Sequence, residues 1–381
     1  MFTDTGSFIA ENRISAGRRL LHRIHLDLPL LVGLLLLAAT GLAVLYSAGE
    51  RSGELVLRQL TRMMLGFGVL LVLAQVRPVT LRRWAPWLYG IGLILLLAVL
   101  ALGVVGKGAQ RWLDLGLFTF QPSELMKLGV PMMIAWYLAD NPLPPPRRRI
   151  AAASLFLLVP ALLIAGQPDL GTALLVASAG FVVLFLAGLS WRFMGLLVVV
   201  LAVVATLLWV FPNPLLHDYQ RRRILTFLHP ENDPLGAGYH IIQSAIAIGS
   251  GGPYGKGWLN GTQSHLDFLP ERSTDFVFSV FSEEFGFLGN LLLLAMYLFV
   301  IGRGALIAAE ARDTFSRLLA GSITFTFFVY IFVNIGMVSG LLPVVGLPLP
   351  LLSYGGTSLV TVMAGFGILM SIRTHRRLIA T

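Results

Sequence analysis

No cysteine occurs among the 381 residues. That excludes a disulfide framework, a thiolate nucleophile and any cysteine-based metal site. Charge is scarce too, since Asp, Glu, Lys and Arg make up 12% of the chain against 56% hydrophobic residues. A soluble domain could not cover its surface with so little charge. The seven histidines are scattered and no HExxH occurs, so a tightly held zinc site is not expected. The glycine-rich GSGGPYGKG, 249–257, fails as a phosphate loop: Ser250 stands where its first glycine belongs, and neither Ser nor Thr follows Lys256. It reads as flexible backbone near a ligand.

What the chain has instead is a succession of span-length apolar runs. They imply an all-α polytopic membrane protein with about ten transmembrane helices, near 28–45, 63–76, 84–105, 122–139, 150–165, 170–188, 192–211, 275–301, 315–339 and 357–372. The first run is too long for a typical signal-peptide core and more spans follow it, so an uncleaved first helix is expected. Residues 1–27 form an N-terminal arm, 28–211 hold helices 1–7, and 212–274 make one long loop with interfacial segments. Residues 275–372 hold helices 8–10 and 373–381 are a tail.

The net charge of +9 would suggest nucleic acid in a soluble protein, but most Lys and Arg here flank apolar segments. Arg13, Arg18, Arg19 and Arg23 of the arm, Arg77, Arg82 and Arg83, Arg147 to Arg149, Arg192, Arg303, Arg312, Arg317 and the tail arginines all fall on alternate loops. The short loops on the other side hold only Arg51, Arg58, Arg62, Lys107 and Arg111. By the positive-inside bias both termini are cytoplasmic and the long loop faces outward. No nucleic acid partner is implied.

That topology gathers the unusual polar residues on the outer side. Asp275 follows HLDFLPERST, in which Pro270 stops any helix and Ser273 and Thr274 are natural N-caps, so Asp275 is expected in the first turn of the eighth helix. It is either a capping acid or a catalytic base. Glu124 and Lys127, spaced i, i+3, share a helix face and are either a structural ion pair or part of a polar cavity. Arg111 and Trp112 lie in the loop KGAQRWLDLG, and Asp169 lies in QPDLGT, where it can cap the sixth helix. Arg221, Arg222 and Arg223 are placed to meet phosphate groups at the membrane surface, lipid headgroups among them. Residues 341–358, LLPVVGLPLPLLSYGGTS, hold three prolines and Ser353, carry no charge and are too short to span; a re-entrant loop or a plain connection fits them.

The stretches KGAQRWLDLG, QPSELMKL, QPDLGT, DPLGAGYHIIQSAIAIGSGG, GKGWLNGTQ, FLPERSTDFVFSVFSEE and PLPLLSYGG resemble those of the SEDS family (shape, elongation, division, sporulation), and its elongation branch more than its division branch. They run from about Lys107 to Gly356. The resemblance implies a peptidoglycan glycosyltransferase that polymerises lipid II on the outer face of the bacterial inner membrane. It implies Asp275 as the essential aspartate, and Glu124 and Lys127 as polar residues of the central cavity. Arg111, Trp112, Asp169, Arg221, Arg222, Arg223, Lys256 and Ser353 are carried as cavity or substrate contacts. A divalent cation, Mg²⁺ or Mn²⁺ with unknown ligands, is implied, as are membrane lipids, a class B penicillin-binding protein that crosslinks the glycan, and other elongation-complex membrane proteins.

The chemistry of the residues agrees with that expectation. The acceptor 4-hydroxyl must lose a proton as it attacks the donor's anomeric carbon, and the lipid pyrophosphate needs charge stabilisation as it leaves. Asp275 can supply the base, and a single displacement inverts the anomeric centre. A flippase of lipid-linked precursor, with Glu124 and Lys127 on its path, stands as the alternative from another class; a scaffold would need no carboxylate at a cavity mouth.

Overall fold

A computed structural model gives the fold and describes residues 25–106, 109–114, 116, 119–193, 195, 199, 203, 225–227, 229, 231, 236–265 and 271–375. The first three helices are α1 (Leu28–Ala48), α2 (Gly53–Gln75) and α3 (Pro78–Leu102). A small antiparallel sheet follows, in the order β1 (Val104–Gly106), β2 (Ala109–Asp114) and β3 (Thr119–Phe120). Then come α4 (Pro122–Leu138), α5 (Arg147–Gly166) and α6 (Leu170–Leu186). After them the described elements are α7 (Ala237–Ser250), the short α8 (Thr262–His265), α9 (Val277–Ala309), α10 (Thr314–Val338) and α11 (Thr357–Thr374).

Seven of these helices are long and apolar enough to cross a membrane, among the described residues. Their sidedness is the reverse of a soluble protein's. In α2 the buried positions Gln59, Met63, Gly66, Leu70 and Ala74 form one stripe at three- and four-residue spacing, while Met64, Leu65 and Val72 on the other faces are more than 60% exposed. An apolar outer face of this kind belongs against lipid. The helices α4 and α6 have 17 residues each. At about 1.5 Å per residue they reach roughly 25 Å, less than the hydrocarbon core of a bilayer. No residue of α4 is exposed, so its charged side chains are enclosed by protein.

Local chemistry sets the helix ends. Asp27, Ser52, Asp169 and Asp313 cap α1, α2, α6 and α10 by accepting the backbone N–H three residues on. Pro78 and Pro122 open α3 and α4, where a missing N–H is harmless. Asp27 also receives two hydrogen bonds from Arg303 of α9, at 2.9 and 2.6 Å, and so fastens one end of the bundle.

The element that departs most from expectation is α9. Asp275 is not in its first turn: the helix starts at Val277, its cap is Phe276, and no cap side-chain bond is made. Ser273 and Thr274 do not cap it either. Thr274 Oγ1 donates to Glu271 Oε2 at 2.7 Å, and Ser273 O accepts from Tyr354 N at 2.8 Å. Residues 271–276 therefore form a turn of their own, pinned to the segment before α11, and the helix waits until that turn is complete.

The run from Val277 to Glu284 is buried at every residue, Glu283 and Glu284 included. At Gly286 the backbone leaves the helical region (φ 64°, ψ −162°), and only beyond it does α9 expose an apolar face. The glycine-rich segment that read as loose backbone repairs this break. Lys256 N and Gly257 N donate to the Glu283 and Glu284 carbonyls at 3.0 Å, while Phe287 N donates to Gly252 O at 2.9 Å. A Cβ on Gly286 would stand 2.2 Å from Gly255 N, so both the positive φ and the close approach call for glycine.

Residues 339–356 join α10 to α11 without regular structure, and Leu347, Leu349, Leu351 and Leu352 in it are buried. Its carbonyls are met by side chains: Asn334 Nδ2 donates to Leu347 O (2.7 Å), Tyr297 Oη to Pro350 O (2.7 Å) and Gln59 Nε2 to Ser353 O (3.3 Å). Non-helical backbone enclosed by protein is tolerated at depth on that condition.

Candidate active site

The N-terminal ends of α4, α6 and α11, strand β2 and the segment after α10 surround one cavity of about 370 Å³. Its wall includes Arg111, Trp112, Glu124, Lys127 and Asp169, five of the side chains singled out from sequence, and adds Gln121 and Thr172. The loop expected to hold Arg111 and Trp112 is the β-hairpin arm β2. Pairing with β1 and β3 holds the strand at the cavity, where Arg111 and Trp112 both reach its wall.

Each polar group is held in place. Glu124 Oε1 accepts from Lys127 Nζ at 2.6 Å, with side chains 7% and 4% exposed. The pair spans one turn of α4, as i, i+3 spacing requires. Glu124 Oε2 is buried with no hydrogen-bond partner among the described residues. Lys127 Nζ also lies 5.2 Å from the centre of the Tyr330 ring, within cation–π range. Asp169 does two things at once: Oδ1 caps α6 through Thr172 N at 3.2 Å, and Oδ2 accepts from Gln121 Nε2 at 3.1 Å. Arg111 Nη1 lies 3.8 Å from Asp169 Oδ1, and its Nη2 donates to Pro168 O at 2.6 Å. Two cations and two carboxylates thus balance around the opening.

Asp275 stands against the same wall. A Cβ built on Gly346, itself a wall residue with φ +74°, would lie 3.4 Å from Asp275 Oδ2. Asn334 of α10 fixes both parts, since its Nδ2 donates to Asp275 O at 3.0 Å and to Leu347 O at 2.7 Å. Sequence reasoning missed Asn334 and Tyr330. Their signal was an amide and a phenol at i, i+4 in the otherwise apolar second half of α10.

Two expected contacts lie elsewhere. Lys256 is outside the cavity: Nζ donates to Glu283 Oε1 at 2.7 Å and to Thr262 Oγ1 at 2.8 Å, so it neutralises a carboxylate whose side chain is fully buried. Ser353, 4% exposed, turns inward and its Oγ accepts from Leu349 N at 2.7 Å, closing a turn of the segment after α10. Arg221, Arg222 and Arg223 lie outside the described residues, as does most of the expected seventh span. Glu283 and Glu284, unremarked in the sequence reading, hold the 256–263 loop and α1 to the head of α9. Glu283 Oε1 accepts from Thr262 N and Gln263 N at 2.8 and 3.0 Å. Glu284 Oε1 accepts from Leu259 N at 3.2 Å and from Ser47 Oγ of α1.

Among the described residues no three His, Asp or Glu side chains come together as a metal cluster. The cavity carboxylates Glu124 and Asp169 are each already engaged with a cation, so the described residues of this cavity form no ready cage for a divalent ion.

Residues 19–378 match the FtsW/RodA/SpoVE family profile, described as cell cycle protein. The chain belongs to that family. The peptidoglycan glycosyltransferase MrdB of Escherichia coli K12 is 53% identical over 358 residues, covering 94% of this chain and 96% of that protein. The peptidoglycan glycosyltransferase RodA of Treponema pallidum is 34% identical and covers 92% and 98%. Among solved structures, a chain from a study of polymerization and crosslinking by a peptidoglycan synthase complex superposes with a TM-score of 0.80 at 36% identity, covering 92% and 98%. The crystal structure of the rod shape determining protein RodA of Thermus thermophilus gives a TM-score of 0.69 at 31% identity with the same coverage. The chain is thus a multi-pass membrane member of the FtsW/RodA/SpoVE family, in line with the motif resemblance.

Proposed function

We infer that the chain polymerises lipid II into glycan strands during cell elongation, at the cavity walled by Arg111, Trp112, Glu124, Lys127 and Asp169. It is a peptidoglycan glycosyltransferase. The observation that carries the site assignment is the convergence of these side chains, from three separate stretches of sequence, beside Asp275. In the proposed reaction the Asp275 carboxylate takes the proton of the acceptor 4-hydroxyl as its oxygen bonds to the donor's anomeric carbon. The bond from that carbon to the lipid pyrophosphate breaks on the opposite face, inverting the centre. The electron pair leaves with the pyrophosphate, whose charge Lys127 and Arg111 are placed to stabilise. Aromatic surface at Trp112 suits a sugar face.

The proposal extends to ten spans with both termini cytoplasmic, a periplasmic loop at 212–274, a re-entrant segment before α11, and the cavity on the outer face of the inner membrane. Alternating basic loops support it. The domain limits read from sequence go with it. A class B penicillin-binding protein is the proposed partner, as the synthase-complex relative suggests, alongside other elongation-complex membrane proteins and surrounding lipids. A divalent cation is proposed to ride on substrate phosphates, since Mg²⁺ commonly keeps waters and takes phosphate oxygens; no step above depends on it.

A photoreactive residue tests the location. Placed at Trp112 it should crosslink to lipid II, and placed at the exposed Trp258, which donates to Ala43 O away from the cavity, it should not. Equal capture at both positions, or capture at Trp258 alone, would move the substrate out of this cavity.

A further inference from the structure

The far end of the bundle holds a second cavity, of about 770 Å³, with no part in the chemistry above. It lies between the N-termini of α3 and α10 and the C-terminal end of α11, and is lined by Arg77, Arg83, Arg312, Thr80, Ser316 and His375 among others. Neither the Arg77 nor the Arg83 guanidinium forms an ion pair or hydrogen bond among the described residues. Among the described residues the one acidic side chain in the wall, Asp313, is occupied in capping α10 through Ser316 N at 2.9 Å. Burial holds the His375 imidazole below its usual range, and its ring stacks on His25 at 4.0 Å, so the arginines carry the positive charge.

An independent observation points to a ligand that accepts hydrogen bonds. Ser316 is 2% exposed, lines this cavity, and its Oγ has no hydrogen-bond partner among the described residues. Two helix N-termini add further positive potential at the same place. The rim has an apolar side at Pro78 and a 59% exposed Val79, with buried Ile372 in the wall behind. The cavity therefore meets hydrocarbon on one side and cations on the other. Its volume suits a small-molecule ligand and far exceeds a single inorganic phosphate.

We propose that this cavity binds the phosphate headgroup of an anionic phospholipid, with Arg77 and Arg83 on the phosphate, Ser316 Oγ as a further donor, and the acyl chains leaving past Pro78 and Val79. In the proposed topology it opens to the cytoplasmic leaflet, where anionic lipid and basic pockets between helices meet. The site is independent of the glycosyltransferase cavity, and its failure would leave that assignment standing.

The test uses the full-length protein purified in a neutral detergent and offered phosphatidylglycerol, phosphatidylcholine or inorganic phosphate, with retained ligand counted by native mass spectrometry. Phosphatidylglycerol should be retained and phosphatidylcholine lost. Arg77→Gln and Arg83→Gln should each weaken retention about fivefold, the attraction expected of one basic side chain for an anionic lipid. Arg82→Gln should change nothing, since Arg82 pairs with Asp140 outside the cavity. If Arg77→Gln, at the cap of α3, does not fold, Arg83→Gln alone decides, because its side chain is exposed and inside the helix. Unchanged phosphatidylglycerol retention in these variants overturns the proposal. Displacement of the lipid by equimolar inorganic phosphate also overturns it, by making the site one for free phosphate.

Discussion

Asp275→Asn should lower glycan synthesis by roughly 10²–10⁴-fold while insertion, folding and lipid II binding persist, the loss expected when a general base is removed. Asparagine keeps the size of the side chain, and Asn334 Nδ2 can still donate to the backbone carbonyl of residue 275. Capping cannot account for such a loss. The helix begins at Val277 with Phe276 as its cap, so Asp275 precedes the cap, and asparagine serves nearly as well as aspartate near a helix start. The check is the rate of glycan formation from lipid II by purified variant and parent. Near-parental chains from well-folded Asp275→Asn would make this residue structural. Recovery with added Mg²⁺ or Mn²⁺ would make it a metal ligand instead of a base.

The second large effect is expected at the Glu124–Lys127 pair. Glu124→Gln or Lys127→Met alone should destabilise the protein by about 3–5 kcal/mol, because each leaves its partner charged and enclosed in a helix without an exposed residue. Changing both should restore part of that stability, since the uncompensated charge goes with the pair. Activity should stay low in the double variant if the Lys127 charge faces the leaving pyrophosphate. A double-mutant cycle on stability, with glycan synthesis measured beside it, separates these roles. Simple additivity of the two single changes would show that the pair is not coupled, in spite of its 2.6 Å separation.

Most described helices were legible because hydropathy, prolines and capping residues report on the chain locally, but α2 begins at Gly53 instead of near 63 and takes in Arg58 and Arg62, which the hydropathy alone leaves in a loop. Pro122, Asp169 and Asp313 start helices where their types suggest. The i, i+3 pair was legible for the same reason, since one helical turn is enough to join Glu124 to Lys127. What could not be read was set by packing across the chain. The break at Gly286 exists because a segment about thirty residues earlier donates its N–H groups to the freed carbonyls, and no local pattern announces that. Lys256 is carried as a substrate contact only with the family resemblance, and in the fold a buried Glu283 claims it from 27 positions away. Ser353 and Asn334 are likewise defined by partners in the folded loop before α11. The hairpin carrying Arg111 and Trp112 was taken for a loop because its strands have 3, 6 and 2 residues, too short for alternation to register.

Glycan synthesis from lipid II by the purified chain in detergent, alone and with its transpeptidase partner, tests the central claim most directly, because detergent removes the membrane that a flippase would need to work across. Polymerised glycan should form and should vanish with Asp275→Asn. No glycan under either condition, together with transfer of lipid II across vesicles that contain the chain, would contradict polymerisation and leave a flippase in its place.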